Sequence, residues 1–376
     1  MENNYRICTK TVMDNIADKD IRFDESGICN YYYEYLTKIK IRVPEENIAA
    51  QQLEQLITEI KKNKGNNTYD CLIGVSGGVD STYVAYIVKK MGLNPLAVHV
   101  DNGWNSELAV KNIQNTLEKL NIDLYTEVLD WPTFRDIQVS FLKAGTPDVE
   151  IPTDHIVWSA LYKIANEHKI KYIVSGMNFR TEGILPASWS RGYFDWKYLS
   201  GVQKKFGKKD ISKMPHMSLV DLFKVNLVDK IKMVGILNYI PFNKAEALKV
   251  MMSELDYRPY EGKHHESIYT KFVQTVYLPQ KFKIDKRKAH LSCAILQNDL
   301  TREEALEALQ KPLITEQEQE DVIEYVRKKL NIDEETWSKI LTNPAKSIFD
   351  YPNTHRFELR LRKIVNKLRK KNILSN

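Results

Sequence analysis

One short stretch, CLIGVSGGVDS at residues 71–81, constrains the fold of this chain most strongly. Its first five residues form an apolar run that predicts a buried strand, and the loop that follows contains Gly77 and Gly78. An amphipathic helix is predicted from Ser81 to about residue 90. A strand that enters a helix through glycines is typical of an anion site, because backbone N–H groups and the helix dipole meet the ligand there.

The loop supplies hydroxyl donors but no cation. Ser76 and Ser81 can donate to an anion, and the glycines let the backbone approach it closely. A Walker A loop would place a lysine before its final Ser or Thr, and this loop has none. A tight strand-to-helix turn without a ligand is the alternative. We expect a phosphate group to be bound by Ser76, Gly77, Gly78, Val79, Asp80 and Ser81.

Strands and helices alternate along the residues that follow. Further strands are predicted at residues 95–100, 123–129 and 171–174, and helices at 44–63, 107–120 and from an N-cap at Thr153 to about 168. This alternation predicts an α/β fold with a doubly wound parallel sheet. Ligands of such sheets bind beyond the carboxyl ends of the strands. We therefore expect Val100, Asn102 and Gly176 to lie on the same edge as the phosphate loop.

Size and charge favour a protein that remains in the cytoplasm. The 376 residues are 43% hydrophobic and 28% charged, with no apolar run long enough to span a bilayer and no signal-peptide core at the start. We predict an N-terminal segment at 1–40, an α/β domain at 45–250 and a mainly helical region at 251–376. The net charge of +6 is modest, so nucleic acid is not favoured as a partner. The basic stretch 356–371 is either a contact surface for an acidic partner or a solvated last helix.

The N-terminal segment resembles two zinc knuckles that have each lost one ligand. Cys8 and Cys29 remain, and Thr11 and Tyr32 occupy the positions where a second cysteine would complete each pair. A tetrahedral zinc site needs four ligands, so we expect no intact zinc site and a segment held by packing of its aromatic residues. Zinc with two ligands from elsewhere is the alternative.

The loop SGGVDS resembles the PP-loop of the ATP pyrophosphatases, and the whole chain resembles one branch of that superfamily, the N-acetyl sugar amidotransferases of bacterial surface-polysaccharide and flagellar sugar biosynthesis. Beyond the loop, the resemblance is carried by CTKTVMDNIADKDIRFDESGIC, HVDNGWNSELAVKNI, VSGMNF and GKHHESIYTKFVQTVYLPQKFKIDKRKAHLS. Thr11 and Tyr32 depart from the family, which commonly has cysteines there.

The resemblance implies ATP and Mg²⁺ as cofactors, with Asp80 as the carboxylate for the metal. It implies that an acetamido group of an N-acetylated nucleotide sugar becomes an acetamidino group through an O-adenylated imidate, in O-antigen or flagellar nonulosonate synthesis. No cysteine has a convincing catalytic partner, so the chain is expected to receive ammonia. The family resemblance implies a separate glutaminase subunit and an ammonia-channelling barrel subunit, similar to the histidine-biosynthesis pair.

Several polar residues outside the loop are candidates for the site. Stacking and charge favour Arg180, Glu182, Trp189 and Arg191 as substrate-binding residues, although an ordinary loop with buried aromatics would look similar. Positive charge near the α-phosphate is expected from Lys263, His264, Lys281 and Arg287, in addition to catalytic Asp80. Two other functions stay open: a tRNA-modifying PP-loop thiolase, and a protein that binds ATP without catalysis.

Overall fold

A computed structural model describes residues 5–260, 266–355 and 357. Its sheet has the strand order β3-β2-β1-β4-β5, and every neighbouring pair is parallel. The strands are β1 Cys71–Gly74, β2 Pro95–Asp101, β3 Asp123–Val128, β4 Tyr172–Ser175 and β5 Lys232–Gly235. The order reverses between β1 and β4, which confirms the predicted doubly wound sheet. The sequence patterns did not predict β5, whose residues are only partly buried and so lack a clear apolar run.

Helices surround the sheet and make up the region that follows it. Up to β5 they are α1 Asn30–Arg42, α2 Glu46–Lys64, α3 Val79–Lys90, α4 Glu107–Leu120, α5 Trp131–Ala144, α6 Ile151–Glu167, α7 Phe179–Glu182, α8 Trp196–Phe206 and α9 Leu219–Leu227. After β5 they are a 3₁₀ turn Ile236–Tyr239, α10 Lys244–Glu254, α11 Ile268–Phe272, a π-helix Val273–Phe282, α12 Arg287–Leu296, α13 Arg302–Gln310, α14 Glu316–Leu330, α15 Glu334–Thr342 and a 3₁₀ turn Ile348–Asp350. The helical C-terminal part is therefore confirmed.

The N-cap of α6 was predicted three residues too late, at Thr153 instead of Glu150. The helix begins at Ile151, so Thr153 lies inside the first turn and is not the N-cap. Proline is tolerated in the first turn because its missing N–H has no partner there in any helix. Pro152 therefore belongs to the helix and does not precede it.

Alternating strand residues divide the interior into two cores. Leu72, Leu96 and Ile173 are register partners on one face of the sheet and pack against α5, α6 and α8. Ile73 and Ala97 are on the other face and pack against α2, α3 and α4. Successive side chains of a strand point to opposite faces, so both faces of these strands are buried by helices.

The N-terminal segment packs against the helical C-terminal part. Cys8 and Cys29 are buried, and the backbone N–H of Cys29 donates to Sγ of Cys8 at 3.2 Å. The guanidinium of Arg302 donates to the carbonyl oxygens of Cys8 and Thr11 at 3.0–3.2 Å. Two thiols and a threonine hydroxyl do not fit a tetrahedral zinc site. Within the described ranges, no group of three or more His, Cys, Asp or Glu is arranged to hold a metal ion.

One core cluster contains side chains from all three predicted segments, for example Met13, Phe134 and Val326. The boundaries at 1–40, 45–250 and 251–376 stay predictions. Among the described helices, none combines the length and apolar character needed to cross a membrane.

Buried His155 makes the stability of the fold dependent on pH. Met217 N–H donates to its Nε2 at 3.3 Å, so Nδ1 carries the proton and donates to the carbonyl of Tyr193 at 2.8 Å. Burial lowers the pKa of His155 to about 4. Above the unfolded pKa of 6.5, His155 is neutral in both states and costs no stability. Below pH 6.5 the unfolded state binds a proton while the buried imidazole stays neutral, so the unfolded state becomes more favourable.

We therefore expect unfolding free energy to fall by about 2 kcal/mol between pH 7 and pH 5 through this residue. Urea titrations at both pH values measure the fall, and the H155Q variant should lose most of it. The control H168Q changes an exposed histidine and should keep the fall of the unaltered protein. Equal pH dependence in H155Q and the unaltered protein would contradict the assignment.

Candidate functional site

The loop between β1 and α3 is closed by its two serines. The hydroxyls of Ser76 and Ser81 lie 3.1 Å apart, and the Gly78 N–H donates to Ser76 Oγ at 3.3 Å. The hydroxyl of Ser81 donates to the Gly78 carbonyl at 3.1 Å. Gly78 is the N-cap of α3, so this ring of donors surrounds the positive end of the helix dipole. The arrangement suits an anion with several oxygens.

Gly77 is fixed from both sides. Its φ of +79° is disfavoured for other residues, and a Cβ there would lie 2.6 Å from the carbonyl oxygen of Ala109. The hydroxyls of Tyr257 and Tyr260 both donate to the Gly77 carbonyl, at 3.2 and 3.1 Å. In a trans peptide the C=O and N–H point in opposite directions, so this grip aims the Gly78 N–H into the loop. Burial raises the pKa of Tyr260 to about 12, which keeps its hydroxyl protonated.

His99 on β2 connects the loop to the neighbouring strand end. The amide of Asn105 donates to its Nε2 at 2.9 Å, so the Nδ1–H donates to the Val75 carbonyl, also at 2.9 Å. Asn105 in turn bridges to Ser267, and the Ser106 N–H donates to the Glu266 carbonyl. The phosphate loop, the end of β2 and the start of α11 are therefore held as one unit.

Two adjoining cavities open beside the loop at the carboxyl ends of β1, β2 and β4. The strand-end cavity has a volume of about 320 Å³, and its lining includes Val98, Val100, Asn102, Val157, Leu161 and Ile173. The loop cavity has a volume of about 420 Å³, and its lining includes Gly78, Val79, Asp80, Ser81, Glu182, Lys244 and Tyr260. Six residues line both cavities: Ser76, Asp154, Trp158, Gly176, Met177 and Glu266. We call these six residues the junction. The pair can hold an elongated ligand with an apolar end and an anionic end.

Carboxylates dominate the charge of the loop cavity. Asp80, Asp154, Glu182 and Glu266 line it, and among its described lining residues Lys244 is the only Lys or Arg. A polyanion bound here would need cations beside it, and carboxylates with phosphate oxygens are the usual ligands of Mg²⁺. Asp80 and Glu182 are therefore the candidate carboxylate ligands for Mg²⁺ in this cavity.

The structure brings together most of the residues predicted to bind the nucleotide. Ser76, Gly78, Val79, Asp80, Ser81 and Gly176 line the loop cavity, and Val100 and Asn102 line the strand-end cavity. Glu182, which was predicted to bind substrate, also lines the loop cavity. A Cβ on Gly176 would lie 3.0–3.2 Å from Asp80 and Ser81, so the second glycine turn packs directly on the start of α3. Gly77 lines neither cavity and acts through its backbone geometry.

Three residues predicted to bind substrate lie elsewhere. The guanidinium of Arg180 donates to the carbonyls of Leu237, Asn238 and Ile240 at 3.1–3.3 Å. Trp189 and Arg191 line a separate cavity of about 550 Å³. Trp189 is buried and its indole N–H donates to the Ala17 carbonyl at 2.7 Å. The contacts of Arg180 and Trp189 stabilise the fold, and the substrate-binding function of all three residues stays a prediction.

Lys281 and Arg287 bind the C-terminal ends of helices. The ammonium of Lys281 donates to the carbonyls of Ile340 and Asn343 at 2.7 and 2.6 Å, at the end of α15. Arg287 pairs with Asp285 at 2.8 Å and donates to the Lys311 carbonyl at 2.9 Å, at the end of α13. Cations are favourable at the negative end of a helix dipole. Neither residue lines either cavity, so their predicted catalytic function has no geometric support.

Lys263 and His264, also predicted to be catalytic, lie outside the described residues, as does the basic stretch 356–371 apart from Phe357.

Several site residues were missed by the sequence patterns: His99, Asp154, Lys244, Tyr257, Tyr260 and Glu266. The two tyrosines lie in a segment with no helix or strand period, so nothing local indicates that they reach Gly77. Asp154 could have been found, because a helix that precedes a parallel strand begins at the carboxyl edge of the sheet.

Two parts of the sequence match known protein families. Residues 70–178 match the queuosine biosynthesis protein QueC. Residues 266–369 match the C-terminal domain of LPS biosynthesis proteins similar to WbpG. The first match contains the phosphate loop and the ends of β1, β2 and β4. The second begins at Glu266 in the junction.

Individual proteins with similar sequences match over part of their length. The chain is 26% identical over 170 residues to an uncharacterized protein of Methanocaldococcus jannaschii, which covers 45% of this chain and 58% of that protein. It is 33% identical over 100 residues to the glutamine-hydrolyzing GMP synthase of Thermus thermophilus, which covers 26% of this chain and 18% of that enzyme. The chain thus spans little more than half of the first protein and under a fifth of the second.

Similar solved structures include the NMN synthetase of Francisella tularensis, with 14% identity and a TM-score of 0.32 over 78% of this chain and 96% of that one. The NH3-dependent NAD synthetase of Campylobacter jejuni has 16% identity and a TM-score of 0.29 over 55% of this chain and 83% of that one.

The lysine-free glycine loop, its place at the reversal of the sheet order and the two family matches together support the PP-loop ATP pyrophosphatase superfamily as the family of this chain.

Proposed function

We propose that the protein is an ATP-dependent amidotransferase that converts the acetamido group of an N-acetylated nucleotide sugar to an acetamidino group, with release of AMP and pyrophosphate. The observation that carries the proposal is the combination, in one chain, of an intact phosphate loop with a C-terminal match to LPS biosynthesis proteins. An amide carbonyl is a poor electrophile and its oxygen is a poor leaving group. Replacement of this oxygen by nitrogen therefore needs prior adenylation.

The two cavities suit ATP, with the base in the strand-end cavity and the β- and γ-phosphates in the loop cavity. The strand-end cavity is lined by Val98, Val157 and Leu161, which suit a purine base. In the loop cavity the Gly78 N–H and the serine hydroxyls bond within the loop, and on nucleotide binding they would turn to the β- and γ-phosphate oxygens. The α-phosphate then lies at the junction. Mg²⁺ held by Asp80 and Glu182 would neutralise charge on the departing pyrophosphate.

The chain's own groups would then favour the first step. The substrate amide oxygen attacks the α-phosphorus, the bond to the β-phosphate oxygen breaks, and pyrophosphate leaves with that electron pair. The Gly78 N–H and the dipole of α3 stabilise the negative charge that grows on pyrophosphate. Because Tyr257 and Tyr260 hold the Gly77 peptide in place beforehand, no reorganisation is needed at the moment of reaction.

Ammonia is proposed to come from a glutaminase subunit, delivered by a barrel subunit. A nucleophilic cysteine would be needed for glutamine hydrolysis within this chain. All four cysteines are buried, and none lines the strand-end or loop cavity. The same observation disfavours a thiolase that uses a cysteine of its own beside ATP.

The test uses the purified chain with ATP, Mg²⁺, ammonium chloride and a panel of UDP- and CMP-linked N-acetylated sugars. We expect AMP, pyrophosphate and a sugar product whose mass is about one unit lower and whose amidine is cationic at neutral pH, since amidines are far more basic than amides. Formation of ADP and orthophosphate would contradict the proposal. Pyrophosphate release that requires tRNA would favour the thiolase. No pyrophosphate release with any acceptor would favour a protein that binds ATP without catalysis.

The tyrosine pair gives a prediction about this loop. Replacing either Tyr257 or Tyr260 by Phe leaves the Gly77 carbonyl one donor, so we expect a loss of about 1 kcal/mol in transition-state stabilisation, roughly fivefold in kcat/KM for ATP. The double variant leaves that buried carbonyl without a donor and should lose about 30-fold or more. The control Y325F changes a partly exposed tyrosine on α14 and should match the unaltered protein. If each single variant lost as much kcat/KM as the double variant, the two tyrosines would not share the support of the Gly77 carbonyl.

A further inference from the structure

Asp154 differs from the other carboxylates of the two cavities. Its side chain faces the open cavity at the junction, and it makes no hydrogen bond or ion pair with any residue in the described ranges. Neighbouring Glu150 accepts a hydrogen bond from the Thr270 hydroxyl at 2.5 Å, and Asp148 accepts one from Ser190. Those two carboxylates are used by the fold, and Asp154 is not.

In the proposed placement of ATP, Asp154 lies where the reacting atoms would meet. With the base at the strand ends and the pyrophosphate on the loop, the α-phosphate lies between the cavities, at the junction. The acceptor carbon is bonded to the oxygen that attacks this phosphate, so it lies there too. Asp154 is on the first turn of α6 and lines both cavities where they adjoin.

We propose that Asp154 is the catalytic proton acceptor for ammonia in the second half of the reaction. The proposal rests on the proposed function. Ammonia attacks the carbon of the O-adenylated imidate, whose own nitrogen keeps the amide proton. A C–N bond forms, the π pair of the existing C=N bond moves to the imidate nitrogen, and the new nitrogen carries three hydrogens and a positive charge. Asp154 removes one of these protons. The nitrogen lone pair then forms the C=N bond, the C–O bond breaks, and AMP leaves with its electron pair.

The surroundings of Asp154 suit a proton acceptor. Asp154 is exposed to the cavity, yet desolvation by the protein around it, followed by the negative charges of Asp148 and Glu150, raises the pKa of Asp154 well above its usual range, and Lys286 opposes this. Glu266 also lines the junction. The negative charge of Asp154, after burial, raises the pKa of Tyr193. A more basic carboxylate accepts a proton more readily, and general-base catalysis contributes about 10²–10⁴-fold.

The experiment separates the two halves of the reaction in the unaltered protein, D154N, D154E and the control D321N, which changes an exposed aspartate on α14. Exchange of labelled pyrophosphate into ATP, with an N-acetylated nucleotide sugar and no ammonium, measures adenylation. Mass spectrometry with ammonium chloride measures amidine formation. We expect D154N to keep exchange within about threefold and to lose amidine formation by ~10²-fold or more. D154E should recover part of the loss, and D321N should show none.

A second readout is the pH profile of amidine formation. The unaltered protein should lose rate as pH falls through the raised pKa, because protonated Asp154 accepts no proton, and D154N should lack this limb. Equal loss of exchange and amidine formation in D154N would overturn the inference in favour of a function in nucleotide binding, and full activity would overturn it outright. Absence of exchange by the unaltered protein would remove the proposed function, and the inference with it.

Discussion

Alanine at position 77 is expected to abolish ATP-dependent pyrophosphate release. The φ of +79° already disfavours any side chain, at roughly 1–2 kcal/mol. The larger effect is steric, because the new Cβ would lie 2.6 Å from the backbone carbonyl oxygen of Ala109, and 3.0 Å from its Cα. Backbone in the first turn of α4 cannot move aside as a flexible side chain would, so the loop must shift.

A shifted loop loses the two tyrosine bonds and the aim of the Gly78 N–H. Removing one preorganised donor typically costs 10²–10³-fold in kcat, so G77A should lose at least that. Pyrophosphate release and the KM for ATP measure the effect. The matched control is G92A, at the other end of α3, where φ is +71° but the nearest atom is the mobile Lys61 ammonium at 3.5 Å. G92A should lose stability and keep activity. If both variants were equally active, the contact with Ala109 would not matter.

Truncation of Asp14 to alanine is expected to cause the largest loss of stability. Its carboxylate is buried, pairs with Lys288 on α12, and accepts hydrogen bonds from the Ala17 N–H at 2.9 Å and the Tyr5 hydroxyl at 3.2 Å. Removing one partner of a buried pair leaves the other charge uncompensated and costs about 3–5 kcal/mol. Because the pair joins the N-terminal segment to the C-terminal helices, the loss should destabilise both.

Urea unfolding followed by tryptophan fluorescence measures this loss, and Trp189 is a suitable reporter because it binds the Ala17 carbonyl. The control E34A removes an exposed pair with Lys38 on α1 and should cost at most about 0.5 kcal/mol. The double variant D14L/K288M replaces the pair with apolar groups and should cost less than D14A alone. A D14A variant as stable as E34A would show that the pair does not hold the segment.

The local patterns of the sequence predicted the sheet and the glycine turn between β1 and α3 well. An apolar run, a glycine turn and an amphipathic helix are decided by neighbours within about ten residues, so the residues at 71–81 are enough to predict them. The carboxyl ends of parallel strands share one edge, which is why Val100, Asn102 and Gly176 were correctly expected beside Ser76.

Charge alone was a poor guide to the rest of the site. Lys281 and Arg287 were expected near the α-phosphate because they are basic, yet both bind the carbonyl ends of helices in the C-terminal part. A cation is favourable at either place, and only packing decides which place it occupies. Arg180 is used in the same way, at the end of the 3₁₀ turn that follows β5.

The amino-acid sequence by itself determined the parallel sheet, the lysine-free loop and the edge of the sheet on which that loop lies, because these follow from local hydrophobic period and glycine spacing. Only the tertiary structure decided that Tyr257 and Tyr260 grip Gly77, that Asp14 meets Lys288, and that Asp154 lines the junction of the two cavities. Those contacts join residues more than a hundred positions apart or depend on which neighbouring carboxylates the fold has already used. No local pattern records them, because they arise from the packing of whole elements.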